Sequence, residues 1–338
     1  MFKYVSGALA LFAAAQVGAV SIDFGPATGY NIFVKENFNQ PGADSQGKIA
    51  VGGNAFIGQY DVAVNYEPNT RRDGLQFWTD PGQYSDVLVV GGNLTTAQWA
   101  WGNVKGNLIL GGELTAGSSH NAILGSTTKG TPIDFNRAFD QFSQLSQTLA
   151  QQENTGGLEF KYNNWLILDG ASENDVYVTT ITGQTLANAT DLSAASLGAN
   201  DTLVINVSGK HVQFDSLNYG RRESFAALET PASNILYNFF EAETVTFSGG
   251  IKGNILAPNA DFTFLQGDLS GQVIAKSWTG GWGAQANLWD GFFTPVDLAP
   301  PMLPPSTTPP VVGVLEPSTL PLLLGGLLAL ALIRRRRH

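Results

Sequence analysis

Reactive side chains are scarce in this chain of 338 residues, which has no cysteine and three histidines, His120, His211 and His338. Without thiolates, and with its imidazoles far apart, it offers no thiol nucleophile and no clustered ligands for a structural zinc. A Ser–His–Asp arrangement would have to use His120 or His211, and no Gly-x-Ser-x-Gly turn presents a serine to either. The densest acidic group is Asp169, Glu173 and Asp175 in Leu168-Asp-Gly-Ala-Ser-Glu-Asn-Asp-Val176. Glycoside hydrolysis needs two facing carboxylates, but this stretch reads as a turn and lacks the Asp-x-Asp-x-Asp-Gly spacing of a dedicated calcium loop. The residues therefore point to no cofactor, no metal and no enzyme, with a polysaccharide lyase or glycosidase as the catalytic alternative. The remaining chemistry is aromatic. Trp99 and Trp101 alternate in Gln98-Trp-Ala-Trp-Gly102, which puts both on one face of a strand as a candidate platform for stacking sugar rings. Trp278, Trp282 and Trp289 fall among glycines late in the chain and read as a plug on an open core.

The elements that would carry these residues show in the glycines, 39 in all, which punctuate short apolar runs. Ala50-Val-Gly-Gly-Asn54, Val89-Val-Gly-Gly-Asn93 and Leu110-Gly-Gly-Glu113 match, with first glycines at Gly52, Gly91 and Gly111. Ile251-Lys-Gly-Asn-Ile-Leu-Ala257 and Leu269-Ser-Gly-Gln-Val-Ile-Ala275 align position for position, and Val104-Lys-Gly-Asn-Leu-Ile-Leu110 is a third copy. A strand and a glycine corner repeating every 18 to 20 residues suit one coil of a right-handed parallel β-solenoid, whose coils stack to share one core. A β-sandwich with glycine-rich turns is the alternative. Between residues 134 and 154, Phe135, Phe139, Phe142, Leu145 and Leu149 follow helical spacing behind the capping residue Asp134, so one long helix should flank the solenoid.

Both ends read as addresses. Residues 1–19 combine Lys3, a small apolar core and Val17-Gly18-Ala19, the pattern of a secretory signal peptide. The domain proper should span 20–293, followed by a Pro-rich linker over 294–315 and a tail over 316–338. In that tail an uncharged run, residues 320–333, precedes Arg334, Arg335, Arg336 and Arg337, which would hold the end on the cytoplasmic side of a membrane. The whole chain carries a net charge of −10, and without Lys3 and Arg334 to Arg337 the exported part is more acidic still, which argues against a nucleic-acid partner. Glu316-Pro317-Ser318-Thr319, the apolar run and the arginines together resemble the PEP-CTERM sorting signal of Gram-negative bacteria, although Leu315 stands where that family usually has proline. The resemblance implies an exosortase-type processing partner and delivery to the envelope or its exopolysaccharide.

A second resemblance spans residues 30–293. Tyr30-Asn-Ile-Phe-Val34, Gly47-Lys-Ile-Ala-Val-Gly-Gly-Asn54, Leu203-Val-Ile-Asn-Val-Ser-Gly209, Ile235-Leu-Tyr-Asn-Phe239 and Ile255-Leu-Ala-Pro-Asn-Ala260 are similar to the choice-of-anchor A domain of bacterial surface proteins. That family implies surface display and supplies no catalytic residues. A solenoid beside one long helix also resembles a bacterial and fungal ice-binding family. Ice-binding faces generally use threonine ranks, and Thr244 and Thr246, or Thr180 and Thr182, read as not repeating in register. The expectation is thus an exported, envelope-anchored structural or adhesive protein, with catalysis and ice binding as alternatives. Deleting residues 316–338 is expected to release the chain from the envelope fraction into the medium, and equal retention on fractionation would refute the sorting role.

Overall fold

Triplets that alternate inward, outward and inward, such as Val245-Thr246-Phe247 and Phe262-Thr263-Phe264, bury one side of each strand and leave the other for solvent. The computed structural model describes residues 20–64, 78–80, 83–97, 102–117, 121–161, 164–169, 176–194, 197–198, 200–217, 232–288 and 290–298. The signal-peptide segment, most of the Pro-rich linker and the sorting tail lie outside them. The protein is mainly β. The strands of its main body pair in parallel and stack into three sheets around a shared core, with antiparallel pairing confined to short peripheral ladders such as Val20–Ile22 with Val296–Leu298 and Gly157–Lys161 with Trp165–Asp169, so a sandwich is not what forms.

The first sheet runs from Thr127–Lys129 through Asn107–Leu110, Asp86–Val90, Lys48–Val51 and Tyr30–Val34. It continues through the starts of Val273–Asn287 and Asn254–Ser270 to Ile235–Asn238, Thr202–Ser208 and Val176–Thr182. The second sheet contains Leu114–Thr115, Leu94–Thr96, the starts of Ala55–Val62 and Phe38–Ser45, the middles of the two long strands, Thr244–Phe247 and His211–Phe214. The third is built from Asn121–Ile123, Gly102–Val104, the later parts of Ala55–Val62, Phe38–Ser45 and the two long strands, and Ile251–Lys252.

Sequence order and spatial order differ in a definite way. The first coil, residues 30–45, sits in the middle of the stack, and the chain winds from it to one end near residues 121–129. The second half begins at Val176–Thr182 and winds back until Val273–Asn287 pairs with Tyr30–Val34 and Phe38–Ser45. The 18-residue repeat is the register of this second half: Ile251 opposes Leu269, Ile255 opposes Val273 and Ala257 opposes Ala275. The strand bearing Trp278 and Trp282 therefore has partners on both edges and lies mid-stack. It cannot plug an end, which corrects the sequence expectation for the late tryptophans. Trp278 is instead a core residue, 1% exposed, while Trp282 is 68% exposed; Trp289 lies outside the described residues.

The core inside the coils is an aromatic ladder. Phe214, Phe247 and Phe264 occupy equivalent positions on adjacent strands and stack at 4.9 Å, and Trp278 continues the series against Phe262 at 5.4 Å and Phe38 at 6.0 Å. In the coils that follow Lys48–Val51, Asp86–Val90 and Asn107–Leu110, glycines line the corner after the first sheet because neighbouring coils come too close there for a Cβ. Gly91 lies against the Gly52 carbonyl and Gly111 against the Gly91 carbonyl. Gly92 N donates to Gly53 O, and Gly112 N to Gly92 O, each at 2.8 Å.

The α-helix Phe135–Ala150, about 24 Å long, covers the outer side of the first sheet. Asp134 Oδ1 accepts from Arg137 N at 3.0 Å to cap its start. Phe135, Phe139 and Phe142 surround Phe33 at 5.1, 5.9 and 5.8 Å. At its other end two buried asparagines from the sheet satisfy carbonyls, Asn206 Nδ2 donating to Leu149 O at 2.9 Å and Asn238 Nδ2 to Ser146 O at 2.8 Å. A second helix, Gly183–Asn188, is one short turn capped by Thr182, too brief for an apolar period to reveal. No helix among the described residues is long and apolar enough to cross a membrane. Gly91→Val is expected to cost about 3 kcal/mol through the corner clash, whereas Gly157→Val, with nothing within 4 Å of the new Cβ, should change stability by less than about 1 kcal/mol. Urea denaturation measures both.

Candidate functional site

The alternation that fills the core also builds the outside of the second sheet. Reading across its strands in register, one outward column is Thr115, Thr95, Phe56, Asn39, Thr279, Thr263, Thr246 and Gln213. Five of its eight positions are threonine. Thr95, Thr115 and Thr279 are exposed, and Thr246 and Thr263 are partly so. Parallel strands repeat at about 4.8 Å, so Thr279, Thr263 and Thr246 form a hydroxyl and methyl rank at that spacing. None of these five hydroxyls is hydrogen-bonded among the described residues, so each faces outward with its bonding capacity unspent.

The neighbouring outward column behaves differently. Asn37, Asn54 and Asn93 side chains each accept from the backbone of the next coil, at Asn54 N, Asn93 N and Glu113 N. Ser277 Oγ donates to Asp261 Oδ1 at 2.7 Å, Lys276 pairs with Asp261 at 3.1 Å, and His211 Nδ1 meets Thr244 Oγ1 at 3.0 Å. This column is tied up within the protein and works as a clamp on strand register. Rigidity from below comes from the ladder of Phe214, Phe247, Phe264 and Trp278. At the seam Trp278 Nε1 donates to Gln40 Oε1 at 2.7 Å, and glycine at 280 leaves the room that Gln40 fills.

The reading of the threonines as out of register is thereby overturned for Thr246, though it holds for Thr180 and Thr182, which oppose Asn206 and Ser208. The threonines of the rank are unevenly spaced in sequence, and its two ends come from halves of the chain that wind toward each other, so no fixed period exposes it. The in-register coils of the repeat, with Thr263 one strand from Thr279, were the signal that could have found it.

The other candidates of the sequence are not drawn together. His211 lies on the surface beside Thr244. Trp99, Trp101, His120, Glu173 and Asp175 lie outside the described residues, as do Glu316, Pro317, Ser318, Thr319 and Arg334 to Arg337. Asp169 ends the strand Trp165–Asp169. Among the described residues no group of three or more His, Asp or Glu is placed to hold a metal ion. A groove of about 480 Å³ at the start of the long helix holds Asp134 and Arg137, but the carboxylate is spent on the cap.

A profile of the family described as an ice-binding-like adhesive domain matches residues 23–286. The chain belongs to that family. The description is of adhesion and not of catalysis. Comparison with curated proteins returns no match. Solved structures similar to this adhesive domain include an ice-binding protein from an Antarctic biological consortium, at 12% identity, covering 82% of this chain and 94% of that one with a TM-score of 0.37. An ice-binding protein from the Antarctic ascomycete Antarctomyces psychrotrophicus shares 11% identity over 79% of this chain and 98% of its own, with a TM-score of 0.38. The DUF3494 domain of Shewanella frigidimarina ice-binding protein 1 gives 11%, 79%, 98% and 0.37.

The third sheet of the adhesive domain is acidic. Its outward positions carry Asp61, Asp44, Gln285 and Asp268 on successive strands. Burial raises the Asp44 pKa above the ordinary carboxylate value, the Asp61 and Asp268 charges add to the rise, and the hydrogen bond from Gln285 opposes it. The folded state then holds the Asp44 proton more tightly than the unfolded chain does. Asp44 subtracts stability as pH climbs through the window just above the usual carboxylate range, and the loss is complete at neutrality. Asp44→Asn is expected to raise the melting temperature at about pH 7 and to leave it nearly unchanged at about pH 3, as calorimetry at the two values would measure.

Proposed function

We propose that this chain is an exported adhesive protein that holds ice on the outward threonine rank of its second sheet. The observation that carries the reading is the register of Thr246, Thr263 and Thr279, with Thr95 and Thr115 further along the column. Free hydroxyls and methyl groups at a fixed strand repeat of about 4.8 Å give an ordered water lattice both anchoring bonds and apolar contact. Binding by a surface that is already ordered avoids the entropy of arranging loose side chains. The aromatic ladder underneath and the clamped column beside it keep the rank ordered. The reading places ice binding, an alternative on sequence grounds, ahead of a purely structural role, because the threonines that read as out of register include one, Thr246, that lies in a rank.

Asn39 and Phe56 interrupt the rank at the middle of the sheet, and they favour a second reading in which the face grips another hydroxyl-rich solid. In either case the winding is right-handed, as parallel crossovers almost always are, and the long helix seals the opposite sheet. The tail over residues 316–338, processed by an exosortase-type enzyme, would display the domain at the envelope, with exopolysaccharide as a neighbour. Thr263→Tyr and Thr279→Tyr, singly and together, are expected to remove most inhibition of ice recrystallisation while leaving the melting temperature within a few degrees. Full activity in the double variant, or none in the unaltered chain, would sink ice binding.

A further inference from the structure

Trp282 stands where the second sheet turns into the third, in Thr279-Gly-Gly-Trp-Gly283. Pairing between the two long strands slips there, from Phe264 opposite Gly280 to Gln266 opposite Gly283, so that Leu265 faces two residues. Such a bulge re-aims a side chain, and the indole is turned out, 68% exposed. Its six-membered ring lies over Gly42, where an added Cβ would come within 2.6 Å of Cε3 and 3.1 Å of Cζ3. Only glycine at 42 lets the ring lie against the sheet.

The surroundings are polar and acceptor-rich. On the strands flanking Gly42 and Gly283 stand Gln59 and Gln266, both exposed. One outward position further along, roughly 7 Å away, runs the rank of Asp61, Asp44, Gln285 and Asp268. Asn103 N donates to Asp61 Oδ1 at 2.6 Å, Gln285 Nε2 to Asp44 Oδ2 at 3.1 Å and Asn287 Nδ2 to Asp268 Oδ1 at 2.9 Å. Each carboxylate keeps its second oxygen without a partner among the described residues.

We propose that Trp282, with Gln59, Gln266 and the Asp61, Asp44, Gln285 and Asp268 rank, forms a binding site for a neutral polysaccharide of the cellulose type. A sugar ring with all its hydroxyls equatorial presents a C–H face that can lie on the indole, and its edge hydroxyls donate to the free carboxylate and amide oxygens. The same carboxylates repel polyuronates and phosphate-bearing polymers. This site is on a different surface from the threonine rank and does not depend on ice binding.

Titration calorimetry of the full chain with cellohexaose tests it. Saturable binding is expected, weakened at least about tenfold in Trp282→Ala and partly kept in Trp282→Phe. Oligoguluronate should bind at least about tenfold more weakly than cellohexaose. An unchanged melting temperature in Trp282→Ala shows that lost binding is not lost folding. Absence of cellohexaose binding, equal affinity in Trp282→Ala or equal affinity for oligoguluronate would each overturn the site. So would self-association that the substitution abolishes, since a second copy would then own the indole.

Discussion

Everything in this domain depends on one seam, the pairing of the first coil with the last. Ile32, Phe33 and Val34 oppose Val273, Ile274 and Ala275, while Phe38 and Asn39 oppose Trp278 and Thr279. Strand pairing alone does not specify such a joint, because a parallel edge accepts any strand in several registers. Buried side chains do. Asn31 Nδ2 donates to Gly271 O, Gln272 Nε2 to Tyr30 O, Leu288 N to Gln46 Oε1 and Trp278 Nε1 to Gln40 Oε1, all between 2.7 and 2.8 Å. Each bond is local to one register, and a slip would strand several buried polar groups at once. The seam therefore fixes the offset between the halves and with it the column that joins Thr279 to Asn39.

The two outer surfaces near the seam carry different side chains over one shared core. On the second sheet, large aromatics point inward at alternate positions, and small hydroxylated residues take the positions between them. On the third sheet, the inward residues include Ala284 and Ala286 beside Tyr60, Val62 and Leu269. The exposed positions of that sheet and its corner carry acids, amides and one indole.

Much of the local architecture was legible in the chain. The paired phrases at 251–257 and 269–275 are true strand neighbours, and Asp134 with its phenylalanine stripe marks the helix start. These signals are local or span one coil. The order of the coils was not legible, because it rests on contacts more than two hundred residues apart, such as Asn31 with Gly271. Misplacing the last coil at an end made Trp278 and Trp282 look like a plug and hid the threonine column. Within the candidate site, Thr246 was noticed but its partners were not, since residues 246, 263 and 279 share a column only once the bulges are counted.

The glycine corner has a bearing on folding itself. Residues 30–129 contain coils that can stack on one another as soon as they exist, since their pairings are short-range. Their inner edge, at 30–45, has no strand to meet until residues 273–287 are made. For that interval the half made first presents an open parallel edge one coil outside the glycine corner at Gly52 and Gly53, the kind of edge that recruits foreign strands. Long-range closure is intrinsically slow, so that edge stays open for as long as the second half takes to wind back to it.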